Sequence, residues 1–138
     1  MSQENVEAFM KSLEALHRGD FDSWVDSFAE EGEFIPQRAA IQGTYRGHKS
    51  LREFLADNAE SFEVFHPTYD YVRDVGDRII ALGKLRLRGK GSGIDIEVPS
   101  ALLVTYREGK VIRFEEVADR AKALEAVGLT EQDAHADS

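Results

Sequence analysis

Three glycine turns in the second half of the chain constrain its fold more than any other feature. Val75-Gly-Asp77, Gly89-Lys-Gly-Ser-Gly93 and Glu108-Gly109 each separate stretches in which apolar and polar residues alternate, the pattern of strands joined by hairpins. Thr68–Val75, Arg78–Arg88, Ile94–Arg107 and the run that starts at Lys110 are therefore expected to be four strands in meander order. Strands joined by such short loops pair antiparallel.

The first half follows a helical period. Val6, Phe9, Met10, Leu13 and Leu16 recur three and four residues apart, which predicts an amphipathic helix over 2–18. Gly19 stops it, and Asp20 caps a second helix carrying Phe21, Trp24, Val25 and Phe28. Glu33-Phe-Ile-Pro36 reads as a short strand, Gly43–His48 as a loop, and Lys49–Phe62 as a helix with Leu51, Phe54, Leu55 and Phe62 on its buried stripe. Asp119 caps a last short helix holding Ala121, Leu124 and Val127 and ending at Gly128; the polar residues Thr130–Ser138 are expected to be a disordered tail. Helices followed by a meander give an α+β fold. The expectation is a cone, with N-terminal helices packed on a strongly curved, mainly antiparallel sheet. At 138 residues the chain fits one domain, placed at 1–129.

Composition narrows the chemistry. With no cysteine, disulfides, thiolate nucleophiles and Cys-ligated metals are excluded. A net charge of −9 opposes binding to nucleic acid or to an anionic membrane surface. The N-terminus lacks a basic segment followed by an apolar one, and no apolar run approaches the roughly 18 residues that span a bilayer. A soluble, cytoplasmic protein is expected. The four histidines, His17, His48, His66 and His135, are too dispersed for a metal site, and the glycine-rich turn at 89–93 has no helix after it to cradle a phosphate. No cofactor or metal is called for.

The residues with most chemical promise lie at the end of the last strand. Alternation there sets Ile112, Phe114, Glu116 and Ala118 on one face and Val111, Arg113, Glu115 and Val117 on the other. The bulkier apolar set reads as inward, which makes Glu116 a candidate general acid or base, since burial raises a carboxyl pKa. Asp119 is a second candidate, although a helix cap accounts for it as simply. Lys84, Arg86, Arg88 and Lys90 share one strand face. They either form an electropositive pocket mouth, with Lys84 orienting Glu116 and Arg86 holding an anionic ligand, or pair outward across the hairpin with Asp95 and Glu97. Phe9, Leu13, Trp24, Phe34, Phe54, Leu102 and Phe114 are candidate walls for a mostly apolar ligand.

The helix corner His17-Arg-Gly-Asp-Phe-Asp22, Ser27-Phe-Ala-Glu-Glu31, Tyr45-Arg-Gly-His-Lys-Ser-Leu-Arg-Glu-Phe54 and Gly109-Lys-Val-Ile followed by Asp119-Arg-Ala-Lys-Ala-Leu124 together resemble SnoaL-like proteins of the nuclear transport factor 2-like superfamily. The resemblance runs to about Leu129 and implies a cone-shaped α+β barrel with a small-molecule pocket and homodimerisation through the outer sheet face. It also implies which relatives to set aside. The isomerase tyrosine, base and acid would fall on Ser12, Pro36 and Leu102. The epoxide-hydrolase pattern keeps an acid at Glu116, puts Lys84 in place of its arginine and Arg86 in place of its second acid, and loses its water-holding residues to Phe34 and Pro36. A cyclase aspartate is matched loosely by Asp119. The resemblance thus leaves two functions open: small-molecule binding with cofactor-free proton transfer, or a non-catalytic dimeric module with a vestigial pocket.

Overall fold

The computed structural model describes residues 2–137 apart from 38 and 118. Helices α1 (Ser2–His17) and α2 (Phe21–Asp26) lead into β1 (Phe28–Ile35), α3 (Ala39–Gln42), β2 (Tyr45–Arg46) and α4 (Gly47–Ser61). The meander follows as β3 (Phe62–Val75), β4 (Arg78–Gly89), β5 (Asp95–Arg107) and β6 (Lys110–Val117), and α5 (Arg120–Ala126) and α6 (Glu131–Asp137) end the chain. The six strands form one sheet in the order β2-β1-β6-β5-β4-β3. All neighbours are antiparallel except β1 and β6, which are parallel. The expected α+β architecture is therefore present, on a sheet whose edges are β2 and β3.

Alternation divides the sheet's side chains between two cores. The inner face gives Ile79, Ala81, Leu102, Val104 and Val111 to a core shared with Phe9 and Leu13 of α1, Trp24 and Val25 of α2, and Leu51, Phe54 and Leu55 of α4. The outer face gives Tyr71, Ile80, Leu82, Ala101 and Leu103 to a second core closed by Ala123 and Leu124 of α5, Val127 just after it, and Ala134 of α6. Burial of apolar side chains on both faces explains why β4 and β5 read as nearly continuous apolar runs.

Four expectations need correction. Residues 131–137 are helical, because Thr130 and Asp133 cap α6 reciprocally: the Thr130 amide donates to Asp133 at 2.8 Å and the Asp133 amide to the Thr130 hydroxyl at 3.2 Å. Ala134 is then buried against α5. The segment read as a tail is thus helical over most of its length. Second, β1 begins at Phe28. The Val111 amide donates to Ser27 O and Phe28 pairs with Val111, so a strand contact takes over where helical periodicity placed another turn. Third, α4 ends at Ser61 and β3 starts at once, with Phe62 donating its amide to Asn58 O. Fourth, β6 carries an irregularity opposite Thr105 and Tyr106 that skips Ile112. Val111 consequently turns inward and is 2% exposed, while Phe114 and Glu116 keep the inward phase expected of them.

A second bulge lies in β3, where Asp70 is the extra residue between Tyr69, opposite Gly83, and Tyr71, opposite Leu82. Gly83 sits hard against that bulge: a Cβ there would lie 1.9 Å from Thr68 O and 2.7 Å from Tyr69 Cα. Backbone cannot yield as a flexible side chain does. Gly83→Ala is expected to destabilise the fold by about 1–3 kcal/mol, read as a fall in the urea-unfolding free energy; an unchanged value would mean that β3 and β4 are not packed this closely.

Candidate functional site

The inner face and the helices enclose a small chamber. Its main lobe, about 40 Å³, is lined by Trp24, Phe34, Phe54, Leu102 and Phe114, by Leu16, Leu55, Phe65, Pro67 and Leu85, and by three polar residues, Tyr69, Ser100 and Glu116. An adjoining lobe of about 30 Å³ adds Phe9, Ser12 and Leu13. Edge-to-face and tilted rings hold the walls: Trp24 and Phe114 at 6.0 Å, Phe34 and Phe54 at 4.5 Å, Phe34 and Phe114 at 5.6 Å. All seven residues read from the sequence as apolar walls therefore line one lobe or the other.

Glu116 enters from β6. Its Oε1 accepts a hydrogen bond from the Gln37 amide at 3.0 Å. Burial pushes its pKa above the ordinary carboxylate value, an effect the Gln37 amide partly offsets. Beside it, the Tyr69 hydroxyl lies 3.0 Å from Ser100 Oγ. Burial pushes Tyr69 up to about 12, with the Ser100 hydrogen bond opposing and the charge of Glu116 adding to the rise. Tyr69 therefore remains a phenol at any physiological pH. The chamber thus offers one carboxylate and a linked phenol–hydroxyl pair against aromatic walls.

The cations do not belong to this site. β4 pairs with β5 without a slip, so Lys84, Arg86 and Arg88 all point to the outer face. Lys84 lies 3.5 Å from Glu97, and Arg86 and Arg88 reach Asp95 at 2.9 and 2.8 Å, all on well-exposed side chains. Hydrogen bonds from Arg86 and then Arg88 hold the Asp95 carboxyl down to about 2. A bulge does lie opposite Gly83, but its extra residue, Asp70, belongs to β3, and β4's own alternation is undisturbed. Lys84 cannot orient Glu116 from there, nor can Arg86 hold a ligand in the chamber. Asp119 likewise lies outside it: exposed, it caps α5 by accepting the Lys122 amide at 2.8 Å. His48 has a ring nitrogen 2.9 Å from Phe28 O and ties the start of α4 to β1. Among the described residues no group of three or more His, Cys, Asp or Glu side chains could hold a metal, and no helix is long and apolar enough to cross a membrane.

Tyr69 and Ser100 were missed by the sequence reading. The signal was present in the alternation: Phe65, Pro67 and Tyr69 share a phase on β3, as do Ser100, Leu102 and Val104 on β5. Once Leu102 is inward, Ser100 must be too.

The family model for the SnoaL-like domain matches residues 6–114. The chain belongs to the SnoaL-like family. Solved structures agree in fold: a nuclear transport factor 2-like protein of unknown function from Burkholderia pseudomallei is 20% identical, covering 90% of this chain and 97% of its own at a TM-score of 0.76. TerC, co-crystallised with polyporic acid, is 21% identical over 91% of this chain and 98% of its own, at 0.75. A protein from a Jannaschia species named as a SnoaL-like polyketide cyclase is 20% identical over 92% and 93%, at 0.75. At these identities the likeness is one of fold. No curated protein matches the chain.

In this SnoaL-like domain the raised pKa of Glu116 has a consequence for stability. The folded state holds the proton to a higher pH than the unfolded chain does, so folding is weakened as pH rises from the ordinary carboxylate pKa to the raised one, and stays weaker above it. Glu116→Gln removes this dependence and still accepts the Gln37 amide. The midpoint of the variant relative to wild type should therefore rise between pH 4 and pH 7 in paired thermal melts; a constant difference would show Glu116 titrating as if in water.

Proposed function

We propose that this protein binds a mostly apolar small molecule in the chamber and catalyses a cofactor-free proton transfer on it. The observation that carries this reading is a half-buried carboxylate lining the same, otherwise apolar cavity as a linked phenol and hydroxyl. Such a trio suits the removal of a proton from carbon next to a carbonyl. The Glu116 carboxylate takes the proton, and the electron pair of the C–H bond moves to the carbonyl oxygen. The Tyr69 hydroxyl, hydrogen-bonded with Ser100, donates to the oxygen as its charge grows. Returning the proton to a different carbon isomerises the molecule; attack of the carbanion on a second carbonyl of the same molecule cyclises it, the electron pair of that C=O bond moving to its oxygen, which takes the proton held by Glu116. Burial favours both roles, since it brings the carboxylate closer to the basicity the step needs and keeps the phenol protonated. TerC shares this fold and was crystallised with polyporic acid, which supports a chamber made for an organic ligand.

One observation favours a second reading, a non-catalytic module with a vestigial pocket. The two lobes, about 40 and 30 Å³, hold water-sized guests unless the aromatic walls shift. In either case the homodimer we propose would use the outer sheet face. There α5 and α6 occupy the apolar half and leave the charged rows of β4 and β5, so such a dimer should weaken as salt is raised.

The test is deuterium uptake from heavy water into a panel of aryl ketones and cyclic diketones, followed by proton NMR. Wild type should accelerate exchange for at least one scaffold. Glu116→Gln should lose about 10²-fold or more of that acceleration, and Tyr69→Phe about 10²-fold. Equal rates for wild type and Glu116→Gln across the panel would remove the catalytic reading and leave the module.

A further inference from the structure

Two of the four histidines that the sequence sets far apart are brought together by the fold. His17 ends α1 and His66 lies in β3, and their rings stack with centroids 4.1 Å apart and planes 23° from parallel. Nε2 of His17 lies 2.5 Å from Pro67 O. A carbonyl can only accept, so Nε2 carries a hydrogen and donates it. The neighbours of the pair in sequence are chamber walls: Leu16, beside His17, and Pro67, beside His66, line both lobes. The pair thus closes the seam where α1 meets β3, and the lobes behind that seam hold an organic ligand only if a wall shifts.

Charge decides whether the seam holds. Two neutral rings stack, and a single imidazolium is attracted to a neutral ring face. Two imidazoliums at this separation repel. A third cation adds to the repulsion: Arg86 of β4 stands opposite His66, with Asp95 of β5 2.9 Å from its guanidinium. Burial, then a charged His17, then Arg86 hold the His66 pKa below the ordinary histidine value of 6.5. Glu63 and Lys90, of opposite charge, line the surface groove that His17 also lines, and Lys90 Nζ donates to Ala59 O at 3.0 Å. There α4 offers Leu55, Asn58 and Ala59, none of them charged. Arg18, next along the chain, pairs with Asp20 at 3.2 Å.

Resting on the reading of the chamber as a ligand pocket, we infer that His17 and His66 form a pH-sensitive clasp on its wall. Closed, the clasp carries at most one proton. The second proton opens it, and Leu16 and Pro67 part to admit or release the ligand. The open state takes up that proton more readily than the closed state does. Closure is therefore fully favoured above the ordinary histidine value, weakens as pH falls through it, and stops weakening below the lowered value.

Trp24, the single tryptophan, lines the chamber, so 2-acetonaphthone entering it should quench the protein's emission. Proton NMR follows the clasp itself. On acidification the nuclear Overhauser effect between the two rings should vanish as the second ring titrates, and the stopped-flow association rate of the naphthone should rise severalfold between about pH 7.5 and 5.5, around the ordinary histidine value. His66→Phe keeps a ring to stack on, His17→Gln keeps an N–H for Pro67 O, and neither replacement can take a proton. In both variants the association rate should lose its pH dependence, and in His17→Gln the midpoint of His66 should rise. A ring contact that survives titration of both histidines, or an association rate with the same pH dependence in wild type and both variants, overturns the inference and leaves the chamber reading standing. No quenching at any pH overturns the chamber reading, and with it the clasp's hold on a ligand.

Discussion

β4 and β5 pair without a slip from Arg78 opposite Thr105 to Arg88 opposite Asp95, and the rest of the molecule depends on that ladder. A slip of one residue would exchange every inward and outward side chain along it. Held in register, it turns Ile79, Ala81, Leu102 and Val104 toward α1, α2 and α4, and Ile80, Leu82, Ala101 and Leu103 toward α5 and α6. The same ladder sets Arg88 opposite Asp95 and Arg86 opposite Glu97, exposed pairs that hold little energy individually but are lost in a register shifted by one, which sets both arginines against apolar residues.

Chemistry follows from the phase of that alternation. Ser100 shares a face with Leu102, and Leu102 pairs with Glu116 on β6, so the sheet itself brings a hydroxyl and a carboxylate into one aromatic chamber. Tyr69 arrives from β3, where the bulge at Asp70 lets it face inward while Tyr71 faces outward. Among the described residues no basic side chain lines the chamber. Burial and the Gln37 backbone amide act on the carboxylate in opposite senses, an arrangement that trades stability for basicity.

Much of this was legible in the sequence, and where it was not the reasons are physical. The meander, the α1 stripe and the Asp119 cap follow from local periodicity and turn chemistry, and the structure contains them. The inward wall residues were also legible, because bulky apolar side chains at fixed spacing have one place to go. Tertiary pairing settled what local pattern could not: Phe28 was counted as helical until β6 claimed it as strand. Bulges did the same for phase, since an extra residue at Ile112 or Asp70 is invisible to a rule of strict alternation. Lys84 was drawn inward by a family alignment against its own strand's phase, and the phase prevailed. The short reciprocal cap at Thr130 and Asp133 sits in a mostly polar segment with no apolar period to announce a helix.

The edges of the sheet have a consequence of their own. β2 is only two residues long. β3, at the opposite edge, carries Pro67, which has no amide to offer, and is bent by the bulge at Asp70. Neither edge presents a long, flat row of free backbone groups of the kind that recruits a strand from another chain. Edge-to-edge growth of this antiparallel meander is thereby disfavoured.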